Sequence, residues 1–388
     1  MTDNVKLNDL FSIKKGKKVK ATRIKSQNSV PYLLIDTLRG QEPEFFTEDK
    51  DYTEAEEKDI LIVFDGANSG LVGTGLRGAV GSTIARLKPK KEVSTKYINY
   101  FLYLNFSSLN QDVKGSAIPH IKPKKLLELT IRYPSIEEQE LTVQEIEKQL
   151  TRLDESVKTI KAAKQKIEIY RKSVLKKAFR KKESWEEKKL NATCVKINDG
   201  THFTPKYTPT GIKFISVKDI RDNKIDFSGC KYISEEEHDI LHKRCDPERG
   251  DVLITKSGTI GRTALVETDE KFDLFVSVAL LKPKRDVLDS KFLMYFLDWY
   301  IKNTNIDQKI KGAVVKNFHV EDIKETKINF PISLKEQQTI VQEIEDKFSV
   351  IDKLEKVIDN SLKKAEQMKK SILKAAFEGK LIKGDNND

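Results

Sequence analysis

The stretch Ser135–Lys182, which begins SIEEQELTVQEIEKQL and ends KSVLKKAFRKK, returns near the end of the chain as Ser333–Lys380. A shift of 198 residues aligns the two copies without a gap. Between 136–179 and 334–377, 18 of the 44 aligned positions are identical. A repeat this long at one fixed separation indicates two copies of the same architectural unit.

Both copies are predicted to be long helices, since neither contains Pro or Gly between its start and its end. Each opens on an S-x-x-E capping box, at Ser135 and at Ser333. Apolar residues then alternate at spacings of four and three, which is the heptad pattern of a coiled coil; we call this row of apolar positions the seam. Arg171 and Glu355 are among the polar residues that interrupt it. We expect the seams to pack on each other as an intramolecular coiled coil that acts as a spacer; the alternative is two unrelated helices, each packed on its own domain. The seam positions are Ile146, Leu150, Leu153, Val157, Ile160, Ile167, Val174, Ile344, Phe348, Ile351, Ile358, Leu362 and Ile372.

Two globular regions are predicted from a second repeat, in which strand-like runs and turns recur in the same order. The shift between the copies grows from 182 to 197 residues, so small insertions separate them. They agree in pattern but little in letters, which favours a shared scaffold with divergent loops and two sites that recognise different things. The predicted domains are globular region 1–134, helical spacer 135–182, globular region 183–332, helical spacer 333–380 and tail 381–388.

The composition favours a polyanionic partner. The 388 residues include 71 Lys and Arg and 60 Asp and Glu, which gives a net charge of +11. Residues 158–182 alone hold eleven basic residues and one acid, which indicates either contact with nucleic-acid phosphates or a solvated helix face. With no 18-residue apolar run, no secretory signal and three cysteines lacking C-x-x-C spacing, a cytoplasmic location without a membrane span is expected.

No catalytic constellation is found in the sequence. The P-loop, the G-x-S-x-G elbow and H-E-x-x-H are missing, as is the Asn/Asp-Pro-Pro-aromatic signature of adenine methyltransferases. Asp322-Ile-Lys324 and Glu325-Thr-Lys327 resemble nuclease fragments, but such triplets are common by chance. His238 and His242 share a predicted helical face, and without an evident third ligand we expect two surface histidines rather than a metal site.

Loops are the candidate DNA-binding elements, because short donors and acceptors with interleaved aromatic and basic residues suit phosphates and base edges. We call Asp199–Tyr207 and Lys256–Arg262 the reader loops. The first globular region has the basic loop Lys14–Lys20 and a Gly-rich turn, Asp65–Gly70. The candidate DNA contacts are Lys15, Lys17, Lys18, Asn68, Ser69, Lys114, Ser116, His120, Thr201, His202, Thr204, Lys206, Tyr207, Lys256, Ser257, Thr259, Arg262, Lys311 and Lys316.

The order of globular region, helix, globular region and helix resembles the specificity (S) subunit of type I restriction-modification systems, along essentially the whole chain. The likeness is carried by the P-x…EQ…I…E-I openings at Pro134 and Pro331, by the S-[VI]-L-K-x-A-F helix endings, and by the D-[IV]-L-I…G strands. The DGTHFTPKY loop, Asp199–Tyr207, also matches. The first globular region lacks an equivalent of that loop.

This resemblance implies an α/β (α+β) fold with two target-recognition domains, separated by two long helices packed as an antiparallel coiled coil, with internal pseudo-symmetry. Each domain would recognise one half of a split, asymmetric sequence in double-stranded DNA. The chain would be non-catalytic, with no cofactor or metal of its own. It would bind two modification subunits, which use S-adenosylmethionine to methylate adenine. For restriction, two restriction subunits, which use ATP and Mg²⁺, would join. The alternatives are a stand-alone DNA enzyme with an unrecognised nuclease site and a coiled-coil adaptor without a DNA role.

Overall fold

The computed structural model describes residues 4–109, 120–303 and 317–382. The chain divides into two compact units: unit 1 comprises Met1–Lys161 and Asp359–Asp388, and unit 2 comprises Ala162–Ile358. Each unit therefore contains one globular region and a segment of each long helix. Within the described ranges, no helix is long and apolar enough to cross a membrane.

The first globular region and the helix that follows it contain fifteen elements. In chain order they are β1 (Asn4–Lys6), α1 (Leu7–Leu10), β2 (Phe11–Lys15), β3 (Val30–Leu33), α2 (Ile35–Leu38), β4 (Phe46–Thr47), β5 (Glu54–Ala55), β6 (Ile60–Val63), β7 (Val72–Thr74), β8 (Gly78–Val80), β9 (Ile84–Pro89), α3 (Thr95–Leu109), α4 (Pro123–Leu127), β10 (Thr130–Arg132) and α5 (Ile136–Ala178). The predicted loop Lys14–Lys20 is wrong at its start, because Lys14 and Lys15 pair with β9 as part of β2.

The second globular region and its helix follow the same order. The elements are β11 (Glu186–Lys189), α6 (Leu190–Thr193), β12 (Cys194–Asp199), β13 (Ile212–Ile215), a 3-10 turn (Val217–Asp219), β14 (Ile220–Arg221), β15 (Lys224–Ile225), β16 (Lys231–Ile233), α7 (Glu235–Leu241), β17 (Val252–Thr255), β18 (Thr263–Leu265), β19 (Phe272–Leu274), β20 (Val278–Pro283), α8 (Ser290–Asn303), α9 (Val320–Lys324), β21 (Lys327–Phe330) and α10 (Leu334–Phe377).

The two globular regions share one sheet topology. Unit 1 has an antiparallel sheet of order β2-β9-β6-β7 and a second sheet, β4-β3-β8-β5, in which β3 and β8 are parallel. Unit 2 has the matching antiparallel sheet β12-β20-β17-β18 and a second sheet of three strands, β16-β13-β19, in which β13 and β19 are parallel. The central strands β6 and β17 are buried at every position, as their apolar runs predict. The predicted α/β fold with internal pseudo-symmetry is confirmed.

In unit 1 the beginning of α5 packs against the end of α10. Ile146 and Leu150 share a buried cluster with Leu373, which makes this pair of segments antiparallel. Phe377 extends the contact onto the globular core, with its ring centroid 4.9 Å from that of Tyr97. The helix ends are thus tied both to each other and to their globular region.

In unit 2 the end of α5 packs against the beginning of α10, again antiparallel. Val174 and Phe348 belong to the same core, and Arg171, which interrupts the seam, stacks 4.5 Å from the centroid of the Phe348 ring. Arg171 also donates to Asp352 at 2.5 Å and to Glu355 at 3.2 Å, so two interruptions of the seam pair with each other. Of the predicted seam positions, Ile146, Leu150, Val174, Ile344, Phe348 and Ile351 are buried, and Leu153, Val157, Ile160, Ile167, Ile358, Leu362 and Ile372 are half-buried.

The glutamine that recurs at the start of each long helix makes buried hydrogen bonds. In unit 2, Gln337 is fully buried; its side-chain oxygen accepts from the Asp289 N–H at 2.8 Å, and its side-chain nitrogen donates to the carbonyls of Val287 and Pro331. In unit 1, the buried Gln139 makes the same type of contacts to the segment before α3 and to the carbonyl before α5. The glutamine therefore ties the start of the long helix to the start of α3 or α8.

Replacing Gln337 with Ala is expected to lower the free energy of unfolding by about 1–3 kcal/mol, because it leaves buried backbone groups without hydrogen-bond partners. Chemical denaturation followed by circular dichroism measures the difference. The neighbouring Gln338 is exposed, and its replacement with Ala should change stability by no more than about 0.5 kcal/mol. Equal effects of the two substitutions would contradict this role of Gln337.

Candidate nucleic-acid interface

In unit 2 the side chains at the end of β12 gather around one buried carboxylate, Asp199. It accepts hydrogen bonds from Arg244 at 2.7 Å and from His202 Nε2 at 3.1 Å, and its other oxygen lies 3.1 Å from Lys256 Nζ. Burial acts to raise the pKa of Asp199, but the hydrogen bonds from Arg244, Lys256 and His202 outweigh burial and hold it below its usual value. Asp199 is therefore ionised at neutral pH and holds Arg244 and His202 at the protein surface.

Lys256, a candidate DNA contact, lies beneath this surface rather than on it. Its side chain is 4% exposed and its ammonium is paired with Asp199. Its backbone N–H donates to Ser277, and its carbonyl accepts from Phe318. This burial favours a scaffolding role over a phosphate contact. The cation that the cluster does present to solvent is Arg244, 47% exposed, which the sequence analysis missed because it lies 45 residues from its partner Asp199.

The rest of the first reader loop leaves the sheet through Gly200. A Cβ at this position would lie 1.9 Å from the carbonyl oxygen of Leu274, so only glycine fits. Beyond it, Thr201 is buried. Three further candidates are exposed, namely Thr204, Lys206 and Tyr207, and Lys231 Nζ lies 3.7 Å from the centroid of the Tyr207 ring.

The second reader loop is a tight turn held by one buried hydroxyl. Thr255 donates through Oγ1 to the Thr259 carbonyl at 2.6 Å and accepts from the Arg262 N–H at 2.9 Å. Gly258 and Gly261 both have positive φ, as the turn requires. Thr259 is exposed and Ser257 half-buried, whereas Arg262 is half-buried and donates to the Ile220 carbonyl at 3.3 Å.

Unit 1 has a structural counterpart of this cluster, although its sequence lacks the DGTHFTPKY motif. The Lys17 N–H donates to Val80 just as the Thr201 N–H donates to Leu274, which places Lys15-Gly16-Lys17 where unit 2 has Asp199-Gly200-Thr201. A Cβ on Gly16 would also meet a backbone carbonyl, at 2.2 Å. Unit 1 thus lacks the DGTHFTPKY motif, but it keeps the backbone position from which that loop starts, with different side chains.

In unit 1 the residue at the strand end is a cation, Lys15, whereas in unit 2 it is an anion, Asp199. Lys15, at the strand end, pairs with Asp65 at 2.7 Å, and Asp65 also contacts the exposed His120. Partial burial acts to raise the pKa of Asp65, but hydrogen bonds from Lys15 and His120 hold it below its usual value. In both units a carboxylate thus holds an exposed histidine beside a strand end, with different neighbours.

The remaining candidates of unit 1 that the structure describes differ in exposure and in their partners. Lys17 pairs with Asp51 at 2.5 Å, and Lys18 is exposed. Asn68 accepts from Arg39 at 2.6 Å, and Ser69 is buried. Four candidates lie outside the described residues: Lys114, Ser116, Lys311 and Lys316.

A fold of two pseudo-symmetric units, each with a polar cluster at the same strand end, defines a two-part recognition protein. The family model for the type I restriction modification DNA specificity domain matches residues 2–169 and 182–364, and the chain belongs to that family. Specificity subunits are in general non-catalytic and have no cofactor of their own.

Individual relatives and solved structures resemble this chain over most of its length. The MjaVIII specificity subunit of Methanocaldococcus jannaschii is 26% identical, with 97% of this chain and 92% of that protein covered. The EcoBI specificity subunit of Escherichia coli is 22% identical over 84% of this chain and 74% of that protein. A chain from a structural study of complex assembly and conformational transition of the type I R-M system superposes with a TM-score of 0.76 at 16% identity, covering 97% and 98% of the two chains. The HsdS subunit of Thermoanaerobacter tengcongensis gives 0.53 at 16% identity, with 97% of each chain covered.

Proposed function

We propose that this chain is the DNA-reading subunit of a type I restriction-modification complex and recognises a bipartite, asymmetric duplex sequence in the cytoplasm. Residues 1–134 and 183–332 would each read one half-site, and the helical segments 135–182 and 333–380 would set the gap between them, with 381–388 as a tail. The observation that carries the proposal is the duplicated cluster: one scaffold position holds Asp199-Gly200-Thr201 in unit 2 and Lys15-Gly16-Lys17 in unit 1. Equivalent backbone positions with different side chains suit two unlike half-sites.

The chemistry of each cluster suits contact with DNA. Arg and His held by a carboxylate present N–H donors in a set direction, which suits phosphate oxygens and the O6 and N7 atoms of guanine. In unit 2 the donors are Arg244 and His202, with Lys206 nearby in the same loop. In unit 1 they are His120, Lys17 and Lys18. The net charge of +11 adds a general attraction to the duplex.

The proposal includes partners that supply the chemistry. Two modification subunits would use S-adenosylmethionine to methylate adenine, and two restriction subunits would use ATP and Mg²⁺ to translocate and cut DNA. Support comes from membership of a family of type I specificity domains and from the likeness to a chain studied in type I complex assembly. A stand-alone nuclease is not favoured: the Asp322-Ile-Lys324 triplet lies in or beside the short α9, where Lys324 pairs with Glu321 at 2.8 Å. An adaptor without a DNA role is not favoured by the family either.

Replacing Lys206 and Arg244 with Ala together is expected to weaken DNA binding by the assembled complex. The plot of log affinity against log salt should flatten by about 0.9 for each phosphate contact that is lost. If Arg244 instead reads a guanine, its loss should cost about 1–3 kcal/mol and relax specificity at one position. Fluorescence anisotropy with a cognate duplex at several salt concentrations measures both quantities.

Lys271 provides the matched control for this experiment. It is exposed and precedes β19, whose other end, Leu274, meets Gly200 beside the reader loop. The Lys271→Ala variant should keep the affinity and salt slope of the parent complex. An unchanged slope for the Lys206 and Arg244 variant would show that this edge of unit 2 faces away from DNA.

A further inference from the structure

Unit 2 has a buried carboxylate, Asp273, at a position where the same fold in unit 1 has an apolar residue. Asp273 is the middle residue of β19, a strand buried at all three positions. It pairs with Phe214 of the parallel neighbour β13, as Ala79 pairs with Tyr32 in unit 1. Burying a carboxylate is costly unless its oxygens are satisfied, and among the described residues Asp273 Oδ1 has no hydrogen-bond partner. The fold tolerates an apolar residue at this position in unit 1, so the carboxylate of unit 2 calls for a separate explanation.

Two histidines lie against this carboxylate. His238, in α7, is 3% exposed, and its Nδ1 lies 2.6 Å from Asp273 Oδ2. His242, one turn later in helical backbone geometry, is exposed, and its ring centroid is 4.9 Å from that of His238. The expectation of two surface histidines is therefore wrong for His238, because the apolar face of α7 packs on β19 and carries it inside.

We propose that His238, His242 and Asp273 bind one zinc ion that ties α7 to β19. One ligand atom from each residue lies within 4.8 Å of the others. Zinc coordinates imidazole nitrogens and carboxylate oxygens with metal–ligand distances of about 2.0–2.2 Å and tetrahedral geometry. Two histidines four residues apart on one helical face are a recurrent pair of zinc ligands. The exposed His242 has the freedom to turn inward and close the site, and a water molecule would complete the coordination from the solvent side.

The ion accounts for three features that a plain buried His–Asp pair leaves unexplained. It satisfies the carboxylate whose Oδ1 otherwise lacks a partner. It assigns a role as a metal ligand to the exposed His242, whose ring lies beside that of His238. It also explains why unit 2 keeps Asp273 where unit 1 has Ala79. The role is structural, and the inference does not depend on the proposed reading of DNA.

The test uses the full chain, purified with a cleavable tag that contains no histidine and stripped of metal with EDTA. After the chelator is removed, zinc chloride is titrated in competition with a chromophoric chelator. We expect one equivalent of bound zinc, and at least about ten-fold weaker binding for His242→Ala, since even the loss of an outer-shell contact typically costs that much. His319→Ala, at another exposed histidine, should bind zinc like the parent chain.

Thermal denaturation gives a second readout that does not require a quantitative affinity. Zinc should raise the midpoint of the parent chain and of His319→Ala, but not that of His242→Ala or Asp273→Ala. Asp273→Ala is expected to fold, because unit 1 carries Ala79 at the equivalent position. Less than one equivalent of zinc on the parent chain, or equal binding by the parent and His242→Ala, would overturn the site.

Discussion

Replacing Asp199 with Ala is expected to lower the free energy of unfolding by about 3–5 kcal/mol, because it leaves the Lys256 ammonium buried without its partner. The two side chains are 6% and 4% exposed, so water does not replace the lost carboxylate. Arg244 and His202 are more exposed and lose their anchor instead. The same substitution should therefore weaken DNA binding by the assembled complex, even where the variant is still folded.

The control for this prediction removes both members of the buried pair. The double variant Asp199→Ala, Lys256→Met should recover most of the lost stability, because an apolar side chain replaces the unpaired charge. It should not recover DNA binding, because Arg244 and His202 stay unanchored. Asp269→Ala, which breaks an exposed ion pair with Arg249, should leave the stability nearly unchanged, because solvent screens exposed charges. A stable Asp199→Ala variant would show that Lys256 finds another partner.

The contribution of Asp199 to stability should also depend on pH. Its pKa is lowered in the folded chain, chiefly because hydrogen bonds outweigh burial, so the unfolded state takes up its proton first as the pH falls. The stabilisation is complete above the unfolded pKa of about 3.9 and is lost as the pH drops through the folded value. The difference in unfolding free energy between the parent chain and the double variant should shrink over that range.

Duplicating Thr151–Asp154 within α5 is expected to change the gap in the recognised sequence and leave both half-sites intact. Four residues add about 6 Å of rise and about 40° of rotation beyond one turn. One base pair advances about 3.4 Å, so the gap should lengthen by one or two base pairs. Some stability should be lost, since four residues shift the heptad seam. Methylome sequencing of cells that express the variant with its modification subunit identifies the new target.

A substitution in the same segment distinguishes the effect of helix length on the recognised target from the effect of the helix surface. Thr151 and Arg152 are exposed, and replacing both with Ala keeps the length of α5. That variant should methylate the original target with the original gap. A changed half-site with an unchanged gap in the duplication variant would place α5 within a reading surface and contradict its role as a spacer.

The long helices and the duplication were determined by the sequence itself, because their causes are local. Capping boxes, a heptad spacing and the lack of Pro or Gly act over a few residues. They predict the starts of α5 and α10 to within one residue and their ends to within four residues. The buried strands β6 and β17 followed from short apolar runs in the same way. A repeated pattern also revealed that the two globular regions share one fold.

Only the tertiary structure decided which polar side chains meet. Arg244 lies 45 residues from Asp199, and His238 lies 35 residues from Asp273, so no local spacing connects either pair. Burial likewise distinguishes Lys256, which is buried just after β17, from Lys206 on the surface, although both belong to loops of similar composition. Local sequence sets backbone conformation through short-range sterics and capping, whereas the ionic clusters form only when β2, β12 and their neighbours bring distant residues together in the folded chain.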